Sequence, residues 1–139
     1  MADYKQTMGL FQQIKRVAYE KCRPIQATFE LTPRCALNCK MCYIHLDPEN
    51  IPNCGRGREL TAEEWIEMGR QAQEAGIFSL CITGGDPILH PEFGAIWEAL
   101  SRMGFRITLQ TKAYSITKRL VKLFFEYPPQ EAQIHLYGS

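Results

Sequence analysis

What this sequence has least of is net charge: sixteen Lys and Arg stand against fifteen Asp and Glu, a formal +1. So even a balance supplies no field for nucleic acid or for an anionic membrane surface, and neither is expected as a partner. Long apolar runs are missing as well. No window approaches the roughly 20 residues of a membrane span, and the opening residues lack the apolar stretch that follows the basic start of a secretory signal. The expectation is a cytosolic chain with no membrane contact. Internal repeats are absent beyond a βα alternation. Length sets the last bound: 139 residues with 45% hydrophobic content suffice for one packed domain and hardly for two.

Cysteine, by contrast, is plentiful. Of the six, Cys35, Cys39 and Cys42 form a C-x3-C-x2-C run directly after a strand-like segment. In a chain of this size without a secretory signal, that density favours metal or redox chemistry over a disulfide framework. Three close thiolates are also one ligand short of the four that a structural zinc or a complete iron-sulfur cluster normally takes from protein. The vacancy suggests a metal centre that keeps one position for something else. Cys22 and Cys54 lack supporting spacing as a fourth ligand, and Cys81 sits in an apolar run. His45 is the better rival, because with the three cysteines it makes a compressed CCCH zinc set.

The periodicities order the rest. Phe11, Ile14, Val17 and Ala18 recur at helical spacing, so a leading amphipathic helix is expected to cover part of the core before Pro24 ends it. Residues 27–32 read as the first strand, stopped by Pro33. Residues 47–58 are rich in Pro, Gly and Asn, a long loop of the functional kind. Thr61 with Glu64 makes a capping box, flanked by Leu60 and Trp65 at staple positions. The helix that follows carries Trp65, Met68, Ala72 and Ala75 on one face and ends at Gly76.

The apolar run 77–83 reads as a strand buried on both faces, closing in Gly84, Gly85, Asp86 and Pro87. Pro91 fits the first position of a helix carrying Phe93, Ile96, Trp97, Leu100 and Met103 up to Gly104, and His90 before it suits a capping or surface role. Phe105, Ile107 and Leu109 mark a third strand. Thr117 caps a helix with Leu120, Val121, Phe124 and Phe125, and Pro128 with Pro129 separates it from a fourth strand over 132–137. The order βαβαβαβ implies crossovers on a parallel sheet, with ligands at the C-terminal strand ends. The cysteine loop and the Gly84-Gly85-Asp86 turn both fall on that rim. His135 and Tyr137 share one side of the fourth strand, facing either a ligand or a packed surface.

These motifs together resemble the radical S-adenosylmethionine (SAM) enzymes, most closely the branch that carries a SPASM domain and modifies peptides. The likeness runs over 26–138 and rests on LTPRCALNCKMCYIHL, GRELTAEEW, LCITGGDPILHPEF and IHLYGS. It implies a [4Fe-4S] cluster on Cys35, Cys39 and Cys42 whose fourth iron chelates SAM. Reductive cleavage would then give a 5′-deoxyadenosyl radical acting on a peptide or small-molecule substrate, with an electron donor such as a flavodoxin or ferredoxin. Gly84 and Gly85, free of Cβ atoms, would let the backbone approach the cofactor and adopt positive φ, and Asp86 would accept from the SAM ammonium. Asp86 stands where the family more often has Glu, and Met41 where an aromatic usually lies near the adenine. Tyr43 is the neighbouring aromatic, or a packing residue. LQTKAY replaces a frequent Asn-Gly turn.

The fold class implied is α/β, a parallel-sheet (βα)3β portion of a partial TIM-type barrel with a leading N-terminal helix. Residues 1–24 form the helix and 25–139 the radical SAM core, ending after its fourth strand where the resembling enzymes continue to six. The exposed edge there suggests a truncated product or self-association. The alternative function is a catalytically silent cluster- or zinc-binding module.

Overall fold

The computed structural model describes residues 4–44 and 58–135. Helix α1 (Tyr4–Glu20) leads into strand β1 (Gln26–Glu30), then α2 (Ala62–Glu74), β2 (Ser79–Thr83), a 3-10 turn (Pro87–Leu89), α3 (Phe93–Arg102), β3 (Arg106–Thr111), α4 (Lys118–Glu126) and β4 (Glu131–Ile134). All strand pairs are parallel, in the order β1-β2-β3-β4. The 47–58 loop falls, but for Arg58, outside the described residues, as do His45, Cys54, Tyr137 and Gly138.

Local chemistry explains the starts and stops. Thr61 accepts from the Glu64 amide while the Glu64 carboxylate accepts from the Thr61 amide, so the capping box satisfies two otherwise orphaned donors of α2. Arg58 adds a second grip on Glu64 and, with the capping bond, holds that carboxyl down at about 2. Gly76 and Gly104 close α2 and α3 with φ +91° and +83°. Thr117 caps α4 through the Leu120 amide. The start of α3 departs from expectation: Pro91 lies outside the helix, Glu92 is the N-cap, and the Glu92 amide donates to His90 Nδ1 at 3.1 Å. The buried imidazole fixes the entry angle, its Nε2 bonding the Leu60 carbonyl at 2.9 Å.

The core lies between the helices and one face of the sheet. Leu80 and Ile82 of β2, and Ile96, Trp97 and Leu100 of α3, are wholly buried. Phe124 of α4 meets Trp97 edge-on at 5.2 Å, and Trp97 Nε1 donates to the Tyr127 carbonyl at 2.9 Å. Gly69 lets α2 close on α3, since a Cβ there would lie 2.5 Å from Leu100 Cδ2. Trp65 packs against Phe29 with its ring tilted by 37°, and its buried indole N–H has no hydrogen-bond partner among the described residues.

Several expected faces are corrected. Strand β2 is buried on one face only, in strict alternation: Leu80 and Ile82 face the helices, while Ser79, Cys81 and Thr83 occupy the less covered side. The small semi-polar residues at every second position carry that alternation. Of the expected α1 stripe, the Phe11 side chain lies outside what the structure describes and Ala18 is buried, but Ile14 and Val17 are partly open and Leu10 is 59% exposed, lining a groove with Ile25 and Gly76. In α2 the buried set is Ala62, Trp65, Gly69 and Ala72, and Met68 and Ala75 are exposed. In α4 Leu120, Leu123 and Phe124 pack inward, whereas Val121 is exposed and Phe125 is 85% exposed. The fourth strand begins at Glu131, one residue ahead of the expected 132–137, and runs to Ile134; the His135 amide still reaches the Thr111 carbonyl, and residues 136 and 137 lie outside the described residues.

Candidate metal and cofactor site

Three strand ends are laced together at the C-terminal rim of the sheet. The Leu31 amide continues the ladder to the Thr83 carbonyl at 2.9 Å, the Gly85 amide donates to Thr32 O at 2.7 Å, and the Asp86 amide to Arg34 O at 2.7 Å. The turn after β2 is thus bonded directly to the root of the cysteine loop after β1. Thr111, at the end of β3, donates its hydroxyl to Asp86 Oδ1 at 2.6 Å and accepts from the Ala113 amide at 3.0 Å.

The glycine pair serves this lacing. A Cβ on Gly84 would sit 2.4 Å from Thr32 O, and one on Gly85 would sit 2.4 Å from Arg34 O. The close approach expected toward a ligand is therefore an approach to the chain's own backbone. Only Gly84, at φ +137°, takes positive φ, and Gly85 does not. Asp86 is 1% exposed, with its Oδ1 held by the Thr111 hydroxyl.

The unusual LQTKAY segment places Ala113 at φ +61°, in the left-handed region that disfavours any residue with a Cβ. Ala113→Gly is expected to raise stability by about 1 kcal/mol. Thermal unfolding followed by circular dichroism should show a midpoint about 3 °C higher; an unchanged or lower midpoint would mean that the turn holds no strain.

On the cysteine loop, Cys35 and Cys39 are half-buried and Cys42 is exposed. The Leu37 amide points at Cys35 Sγ at 3.4 Å, and the Cys42 amide donates to the Cys39 carbonyl at 3.0 Å. The three thiols share one loop, but among the described residues no three His, Cys, Asp or Glu side chains converge as a ready metal site. The donor set fits an iron-sulfur cluster in its chemistry: three accessible thiols on irregular backbone, one already receiving an N–H bond of the kind that supports a thiolate ligand. Cys22 precedes β1, at the end of that strand opposite this loop. Cys81 lies on the less covered face of β2, its thiol pushed up by burial and by Glu131.

Met41 is 78% and Tyr43 81% exposed. Tyr43 donates its hydroxyl to Glu30 Oε1 at 2.6 Å, and that bond, with burial and nearby negative charge, pushes the phenol up to about 12. On the other flank Arg34 grips Glu59 through Nε at 2.9 Å and Nη2 at 2.7 Å, and the Thr32 hydroxyl also donates to Glu59. Burial pushes the Glu59 carboxyl up, but the bonds from Arg34 and Thr32 outweigh it and hold it below its usual range.

The profile of the Radical SAM superfamily matches residues 29–138. The chain belongs to the radical SAM superfamily. Members of this superfamily are enzymes that typically use a [4Fe-4S] cluster and SAM. Among solved structures, Streptococcus suis SuiB bound to S-adenosylmethionine superposes with TM-score 0.64 at 21% identity, over 98% of this chain and 30% of SuiB. SuiB bound to its precursor peptide SuiA matches with TM-score 0.60 at 22% identity, over 85% of this chain and 26% of that one. The four-strand parallel sheet thus corresponds to part of the radical SAM partial barrel of SuiB, and the chain spans about 30% of the length of that relative. Among the described residues no helix is long and apolar enough to cross a membrane.

Proposed function

We propose that Cys35, Cys39 and Cys42 hold a [4Fe-4S] cluster, that SAM binds at the adjoining rim, and that the site works on a peptide or small-molecule substrate. The observation that carries this reading is the direct bonding of the Gly84-Gly85-Asp86 turn to Thr32 and Arg34, which sets the two motifs side by side on one rim. The bound cluster and SAM would supply a 5′-deoxyadenosyl radical. The chain's own part is placement: the thiols hold three irons, Gly84 and Gly85 let the turn seat against the loop, and exposed Met41 and Tyr43 are available to lie against the adenine. An ammonium on this rim would share Asp86 with Thr111, so Asp86 fixes the turn as well as offering charge.

SuiB's precursor peptide favours a peptide over a small molecule here, and a SPASM-type relationship belongs to the same reading. A flavodoxin- or ferredoxin-like donor in the cytosol would provide the electron. The core assigned to 25–139 would cover the edge of β4 by further sheet or by self-association, since Ile134 there is exposed.

The test is electron paramagnetic resonance of the anaerobically reconstituted, dithionite-reduced chain with and without SAM. A [4Fe-4S]+ signal that changes on adding SAM is expected. A cluster signal indifferent to SAM would remove the cofactor from this rim. Absence of any cluster, with stoichiometric zinc instead, would turn the reading to a silent metal-binding module.

A further inference from the structure

The three thiols do not converge by themselves, although they lie within eight residues of one another. Across Cys35 to Cys42 the backbone is neither helix nor strand, and the Cys42 amide to Cys39 carbonyl bond is the internal backbone bond it makes. A segment so loosely held loses conformational freedom when it takes up a metal. Whatever restrains it beforehand lowers that loss.

The restraint is visible at both flanks. Arg34, immediately before Cys35, is forked onto Glu59, which also receives the Thr32 hydroxyl. Tyr43, immediately after Cys42, is tied to Glu30 at the end of β1. Both carboxylates sit on framework: Glu30 in β1, and Glu59 two residues ahead of the capping Thr61 of α2. The Arg34 bonds are charge-assisted and bidentate, and the Glu59 side chain is largely buried while that of Arg34 is exposed, so a well-fixed acceptor holds a movable donor.

Resting on the function proposed above, we infer that Glu30 and Glu59 are positioning residues for the cluster: they clamp the cysteine segment at its two flanks and set how long the metal is retained. They touch neither metal nor substrate. Their effect runs through Tyr43 and Arg34.

The readout is loss of the charge-transfer absorbance of the reconstituted chain to an iron chelator. Glu59→Ala and Tyr43→Phe are each expected to speed that loss about tenfold, the size of one charge-assisted hydrogen bond, and together about a hundredfold. The reversed pair, Arg34→Glu with Glu59→Arg, should recover most of what Glu59→Ala loses. The thermal midpoint of the metal-free chain, measured in parallel, should stay almost level in Tyr43→Phe.

Unchanged loss rates would overturn the inference. So would acceleration that follows the metal-free midpoint across all variants without recovery in the reversed pair, because that describes general loosening. Failure of the unaltered chain to take up a cluster would instead sink the proposed function, and the clamp with it, before any variant is compared.

Discussion

Replacing Cys35, Cys39 and Cys42 together by alanine is expected to abolish the iron-sulfur centre while leaving the fold in place. The two halves of that result follow from different observations. The side chains stand half-buried or exposed on irregular backbone and none belongs to the hydrophobic core, so their truncation should change stability by only about 0.5 kcal/mol. Nor does a spare thiol stand by among the described residues: Cys22 lies at the opposite, N-terminal end of β1, and the Cys81 thiol is disfavoured as thiolate by its burial. Iron and sulfide per chain, with the resonance spectrum, check the outcome. A full cluster in the triple variant would remove these residues as ligands. Each single variant should also fall far below the parent, because a loop with three thiols has none in reserve.

The parts of this fold that were legible are those encoded by neighbours in sequence. Thr61 and Glu64 are three apart, and their reciprocal bonds form as the capping box requires. Gly76 and Gly104 end their helices in the left-handed region. The alternation of helical and strand periods gives the parallel order, and with it the meeting of two motifs on one rim. Which face a helix turns inward is less local. The apolar stripe of α1 predicts a covered face, yet Leu10, Ile14 and Val17 have no layer above them among the described residues. In α4 a stripe shifted by one position, through Leu123 and not Val121, faces Trp97 and Phe93. A helix with apolar residues on more than one side does not name its own buried side; the partner does.

The site divides the same way. The cysteine run and the glycine pair are short motifs and can be read from spacing. The side chains that hold them are paired across the chain: Arg34 with Glu59, Tyr43 with Glu30, and Asp86 with Thr111. Two of these pairs span 25 positions, so no window of sequence contains both partners. The identity of Asp86 suggested a group offered to a ligand. Its burial against Thr111 makes it first a fastening between two strand ends.

That fastening leads to the largest expected effect on stability, Gly85→Ala. A methyl group there would stand 2.4 Å from Arg34 O, 2.5 Å from Pro33 O and 2.8 Å from the Arg34 carbonyl carbon, all backbone atoms with no rotamer to escape into. Relief requires the turn to withdraw from the loop, which breaks the Gly85-to-Thr32 and Asp86-to-Arg34 bonds. Overpacking of this kind costs about 1–3 kcal/mol, and two lost backbone bonds add about 1 kcal/mol each. A total of about 4 kcal/mol would consume much of a typical domain's stability and lower the thermal midpoint by about 12 °C. Gly94→Ala is the matched control: nothing lies within 4 Å of its added methyl, and it sits inside α3, where alanine is worth up to about 1 kcal/mol over glycine. The two variants should therefore move in opposite directions. A Gly85→Ala protein melting within a degree or two of the parent would show that the turn and loop separate freely, and the rim could not then hold the two motifs together as the proposed function requires.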